Sequence, residues 1–163
     1  MSSSGSRQPN PAFMKEAIEL ARGNVRESRG GPFGTVIVKN GTILARGTNL
    51  VTSTNDPTAH AEIVAIREAC RALGSFQLNG CDIYSSCEPC PMCLGAIYWA
   101  RPNAVYFANT RDDAAQAGFD DRFLYEELPR VLTERKIPMI QFMREEALVA
   151  FREWEEKADK VRY

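Results

Sequence analysis

Two short stretches constrain this chain more than anything else in it: Thr58-Ala59-His60-Ala61-Glu62 and Cys87-Glu88-Pro89-Cys90-Pro91-Met92-Cys93. Each falls near the start of a helix. Asp56-Pro57 is a cap followed by a first-turn proline. Ile63, Ile66, Ala69, Cys70 and Leu73 then recur as a buried stripe until Gly74, which puts His60 one turn into that helix. Pro91 opens a mostly apolar helix through Trp99, which reads as core by composition and spacing. A fold that uses both stretches has to collect helix starts at one place, as a layered sheet does where strand ends meet helices.

The rest of the chain supplies such a sheet. Asn10-Pro11 caps a first helix, with Phe13, Met14, Ala17, Ile18, Leu20, Ala21 and Val25 at helical spacing, stopped by Gly30-Gly31-Pro32. Thr35–Val38 and Thr42–Ala45 flank Asn40-Gly41, the strongest short-range signal for a two-residue hairpin. A polar loop covers 51–55. Asp82–Ser85, Ala104–Phe107 and Met139–Phe142 read as three more strands, and Ala147–Lys160 as a final helix. The order predicts an α/β fold: a three-layer α/β/α sandwich with a mixed five-stranded sheet. With 163 residues, 44% of them hydrophobic, the chain suits one core. Residues 1–9, Ser/Gly-rich and aperiodic, are read as a disordered tail, and 10–163 as the domain.

A formal charge of −1 provides no broad cationic field of the kind nucleic-acid backbones require. The odd count of five cysteines, with no secretory pattern near Met1, predicts a reduced, cytoplasmic protein. No stretch approaches the ~18 uninterrupted apolar residues of a membrane span.

His60 is the only histidine. A lone histidine is usually bland, but here it accompanies Cys90 and Cys93, which can share one face of a helix's first turn. The partial positive charge of that helix start favours the thiolates a metal needs. One imidazole and two thiolates leave a fourth position for water, the catalytic rather than the structural zinc pattern. Cys87 is a possible fourth thiolate that would close the site, though it would leave Glu62 without a purpose. Glu62 itself points away from the ligand direction and suits general acid/base work on the water. His-x-Glu followed by Pro-Cys-x-x-Cys is the signature of zinc deaminases that act on nucleobases. Cys70 and Cys81 read as a buried small residue and a loop thiol.

Gly30-Gly31-Pro32-Phe33-Gly34, Asn55 to Glu62, Ser86 to Cys93, Gly95 to Trp99 and Gly118-Phe119-Asp120-Asp121 together resemble the cytidine deaminase superfamily, and within it the bacterial guanine deaminases, over nearly the whole chain. The resemblance implies zinc held by His60, Cys90 and Cys93, with Glu62 as proton shuttle. It implies substrate contacts at Phe33, Asn49, Ala61, Asp121 and the terminal Tyr163, with Asp121 assisting proton transfer. Asp120 competes for that role; Asn49 also fits a turn, Phe33 fits core packing, and Tyr163 fits a frayed end. The implied reaction converts guanine to xanthine and ammonia in a homodimer; the apolar helix at 93–99 is a candidate for part of its contact and equally fits burial within one chain, and the C-terminal tail closes either its own active site or, by exchange, a neighbour's.

Other amino-heterocycles compete for the same zinc chemistry: guanosine, cytosine, or adenosine in tRNA. The tRNA substrate calls for a basic face that a pI of about 5.9 does not suggest. From a different class, a zinc-stapled interaction module without turnover would leave Glu62 idle.

Overall fold

A computed structural model describes residues 8–163, and the tail expected over 1–9 lies, up to residue 7, outside the described residues. The chain divides into two compact units, one reaching to Asp121 and the other spanning Arg122–Tyr163.

The first unit is built on a four-stranded sheet. α1 (Pro11–Arg26) begins as the sequence predicts, with Asn10 Oδ1 accepting the Ala12 N–H at 2.9 Å and proline in its first turn. β1 (Gly34–Lys39) and β2 (Thr42–Thr48) pair antiparallel across a two-residue turn. Asn40 and Gly41 both take positive φ there, +50° and +75°, the geometry that turn demands. Residues 51–55, expected as a loop, contain a single helical turn, α2 (Val51–Thr54). α3 (Ala61–Leu73), β3 (Cys81–Cys87), α4 (Pro91–Ala100), β4 (Ala104–Asn109) and α5 (Arg111–Gln116) follow. The sheet order is β2-β1-β3-β4, with β3 and β4 parallel and the other pairs antiparallel.

Strand alternation sorts the side chains onto two faces. Val36, Val38 and Tyr84 pack with Ala17 of α1 on one side, while Ile37, Ile83 and Ala45 meet Ala65, Ala69, Ile97 and Ala100 of α3 and α4 on the other. These are the three expected layers with a mixed sheet. Ile37 and Ile83 are fully buried, and truncating either to alanine costs about 2–5 kcal/mol by transfer and cavity terms. α3 lies close on β2 because residue 47 is glycine: a Cβ there would stand 2.2 Å from the Ala61 carbonyl oxygen and 2.6 Å from the Ala65 nitrogen. Its first turn is thereby held against the sheet.

Several expectations need correction. The sheet has four strands among the described residues, not five: Met139–Phe142 forms no ladder, and Ile140 and Phe142 are 86% and 83% exposed. A short apolar run becomes a strand only where another strand pairs with it, and periodicity alone cannot supply the partner. α3 starts at Ala61 rather than at Asp56-Pro57, so His60 is its cap and not a residue one turn inside. Asp56 instead builds a turn, its Oδ1 accepting from the Thr58 N–H at 2.8 Å and the Thr58 hydroxyl at 2.7 Å. Trp99 is 62% exposed, not core: α4 is apolar all round, and the residues it buries are Cys93, Ile97 and Ala100. Cys81 is buried at the start of β3 rather than a loop thiol, and Cys70 is half-buried.

In the second unit, α6 (Arg122–Glu127), a 3₁₀ turn (Leu132–Glu134) and α7 (Arg144–Glu156) follow in order, and no residue is buried. The final helix thus begins and ends earlier than the expected Ala147–Lys160.

Candidate active site

Two helix starts meet at the ends of the strands. The Asp56 turn and a hydrogen bond from Leu50 N–H to Ala59 O, 2.9 Å, lead the chain into His60, which caps α3 in an extended conformation. Cys90 caps α4 in the same way, followed by Pro91 at the first helical position and Cys93 within the first turn. Both helices direct the positive ends of their dipoles at this point, where thiolates gain from it.

His60, Cys90 and Cys93 have their donor atoms within 4.8 Å of one another. His60 Nδ1 stands 3.6 Å from Cys90 Sγ and 3.5 Å from Cys93 Sγ. Tetrahedral zinc with bonds of about 2.3 Å to sulfur and about 2.05 Å to nitrogen requires an S···N separation of roughly 3.6 Å. The donor set therefore fits that ion in both chemistry and spacing. Cys90 is held down to about 4 by the hydrogen bond from the Cys93 thiol and then by His60, against the opposing effect of burial. The same bond and burial raise Cys93, and the bond to Cys90 raises His60. Cys87 stands outside the set: its thiol donates to Thr110 O at 3.6 Å, and burial pushes it up to about 11.

Glu62, in the first turn of α3, is buried beside this cluster. Its Oε2 accepts from Cys93 Sγ at 3.5 Å and its Oε1 from the Ser85 hydroxyl at 3.3 Å. Burial raises its carboxyl above the usual range, so it takes up a proton more readily than a surface glutamate.

A pocket opens over these groups, and Phe33, Asn49, Phe119 and Asp121 line it with His60, Glu62 and Cys90. Phe33 and Phe119 meet edge to face, with centroids 5.0 Å apart and planes at 85°. Asn49 has the turn role expected of it, its Oδ1 accepting the Val51 N–H at 3.2 Å; it also lines the pocket, where Nδ2 is the side chain's donor. Burial first, and then Cys90, raises the Asp121 carboxyl. Ala61 is completely buried between His60 and Glu62, and its contribution to a ligand would be its backbone N–H at the helix start. Tyr163 ends the second unit.

Glu88 and Arg111 also line the pocket and were not expected there. Glu88 Oε2 accepts the Arg111 N–H at 3.0 Å and so ties the start of α5 to the approach of α4. The signal for α5 was available in Thr110-Arg111-Asp112-Asp113, which forms a capping box. Phe119 was visible only within Gly118-Phe119-Asp120-Asp121; its packing on Phe33 is a long-range contact that no local pattern reports.

Residues 7–109 match the family described as the cytidine and deoxycytidylate deaminase zinc-binding region. The chain is 56% identical over 151 residues to guanine deaminase of Bacillus subtilis (strain 168), covering 93% of this chain and 97% of that protein. It is 45% identical over 95 residues to tRNA-specific adenosine deaminase of the same organism, 58% of each chain. The X-ray structure of guanine deaminase from Bacillus subtilis matches with a TM-score of 0.93 at 54% identity, covering 96% of this chain and 99% of that one. No helix among the described residues is long and apolar enough to cross a membrane.

Proposed function

The chain belongs to the cytidine and deoxycytidylate deaminase zinc-binding family, and we propose that within it this protein catalyses the hydrolytic deamination of guanine to xanthine and ammonia. The observation that carries this reading is a buried carboxylate, Glu62, beside a His-Cys-Cys set spaced for tetrahedral zinc. A structural site has no use for such a neighbour. Guanine, rather than tRNA adenosine, is supported by the extent of the likeness: the guanine deaminase match spans 93% of the chain, the tRNA deaminase match 58%.

His60 Nδ1, Cys90 Sγ and Cys93 Sγ would hold the ion. Zinc, when bound to them, supplies the Lewis acidity that makes water a nucleophile near neutral pH. Glu62 accepts the proton that the attacking water loses and passes it to the ring nitrogen beside the carbon bearing the amino group. The hydroxyl now on that carbon gives up the second proton of the water to the amino group; the carbon–nitrogen bond breaks, ammonia leaves, and the carbon keeps the oxygen as a carbonyl. Water in and ammonia out balance the conversion.

The base packs on Phe33, whose ring Phe119 braces edge to face; its N–H donors face the Asp121 carboxylate, and Asn49 Nδ2 and the Ala61 N–H serve its acceptors. Tyr163 closes the pocket over a base that carries no ribose. The protein acts in the cytoplasm as a homodimer with exchanged C-terminal segments. That assembly is supported by Leu94, Tyr98 and Trp99, exposed at 44%, 76% and 62% on α4, and by the exposed apolar side chains of the second unit.

An ammonia-release screen of the zinc-loaded protein against guanine, guanosine, cytosine, adenine and an anticodon stem-loop tests this. Guanine should dominate; preference for guanosine or for the stem-loop would overturn the substrate assignment, and silence on all five would overturn the deaminase reading.

A further inference from the structure

The face of the sheet under α3 changes character along its length. Ile37 on β1 and Ile83 on β3 stand opposite one another and are fully buried in the core. The next pair on the same face is Thr35 opposite Ser85, 0% and 2% exposed. Two hydroxyls thus occupy places where the pattern of the face calls for aliphatic side chains, and a buried hydroxyl is retained at a cost unless it has work to do. Thr35 Oγ1 and Ser85 Oγ are 3.2 Å apart, and Ser85 Oγ is 3.3 Å from Glu62 Oε1. Gly47, opposite Thr35 on β2, is what admits the first turn of α3, and with it Glu62, to this depth.

We propose that Ser85 is a positioning residue for Glu62, its hydroxyl oriented by Thr35 so that one carboxylate oxygen is held in place while the other is left for proton transfer. The direction of the chain follows from counting protons. A serine hydroxyl has one hydrogen, and a carboxylate can only accept, so Ser85 donates to Glu62 and Thr35 donates to Ser85. Cys93 also reaches the carboxylate, but a cysteine that ligates a metal has given up its proton, which leaves Ser85 as the side-chain donor that persists. The inference rests on the reading of Glu62 as proton shuttle.

The test uses the zinc-loaded full chain with guanine. Ser85→Ala should lower kcat about tenfold, the loss expected when one hydrogen bond to a charged group is removed, with KM and zinc content unchanged. Ser85→Thr, which restores the hydroxyl, should recover most of the rate. Thr35→Val, which keeps the shape, should produce a smaller fall. A crystal structure of Ser85→Ala should show the Glu62 carboxylate in more than one orientation. Wild-type kcat in Ser85→Ala, or a Glu62 carboxylate that keeps its single position there, would overturn the proposal. The underlying reading fails separately, if Glu62→Gln itself turns over guanine normally, and the positioning role then falls with it.

Discussion

The floor and the rim of the pocket are built in different ways. On the floor, His60, Glu62, Cys90 and Cys93 sit at two helix starts pressed on a four-stranded sheet, and Glu62 is buried there with the Ser85 hydroxyl donating to its carboxylate. On the rim, Phe119 is 44% exposed and, like Asp121, lies beyond α5, outside regular structure, while Arg111 begins a helix of 6 residues. The floor inherits its geometry from long-range strand pairing, whereas the rim depends on caps and a few side-chain contacts. Chemistry that needs placement to within a fraction of an ångström belongs on the first, and recognition of one ring among similar rings can be left to the second.

The hardest blow to the comparison is removal of a floor ligand. Cys90→Ala should lose zinc, from one ion per chain to a small fraction, together with turnover, while the rim and the fold stay intact by circular dichroism. Full zinc occupancy in that variant would mean that the set is not the metal site. A rim substitution should act differently in kind. Asp121→Ala should lower kcat/KM for guanine by about tenfold or more, through loss of a half-buried acceptor worth about 1–3 kcal/mol to the bound base, with zinc content unchanged. A loss of zinc there would erase the distinction between floor and rim.

The smallest expected effect concerns the turn that delivers His60. Thr58 lowers the Asp56 carboxyl below its ordinary 3.8 through its hydroxyl and backbone N–H, and Arg67 assists. A group depressed in the folded state stabilises it above its unfolded value, and that stabilisation is lost as pH falls through the folded value. Thermal melts of wild type and Asp56→Asn should therefore differ slightly at neutral pH and converge below about pH 3.8; a gap that widens in acid would contradict the role given to this turn.

The same division governs what the sequence disclosed. The hairpin was legible because Asn40-Gly41 dictates its own backbone, and the floor because His60, Glu62, Cys90 and Cys93 form local motifs at helix starts. Asp56-Pro57 misled about the start of α3 because the same residues that cap a helix also build a turn. Trp99 could not be assigned a face on a helix that is apolar all round, and Met139–Phe142 had the composition of a strand but no partner. Phe119, Glu88 and Arg111 reach the pocket through contacts between distant segments, which no spacing along the chain encodes.

The role of Glu62 is tested most directly by xanthine formation from guanine in the wild-type protein and in Glu62→Gln, both loaded with one zinc per chain. The amide keeps the shape of the carboxyl and cannot carry a proton, so kcat should fall by at least ~10²-fold with zinc content unchanged. Near-normal kcat in the Gln variant would contradict the claim that the buried carboxylate on the floor performs the proton transfer.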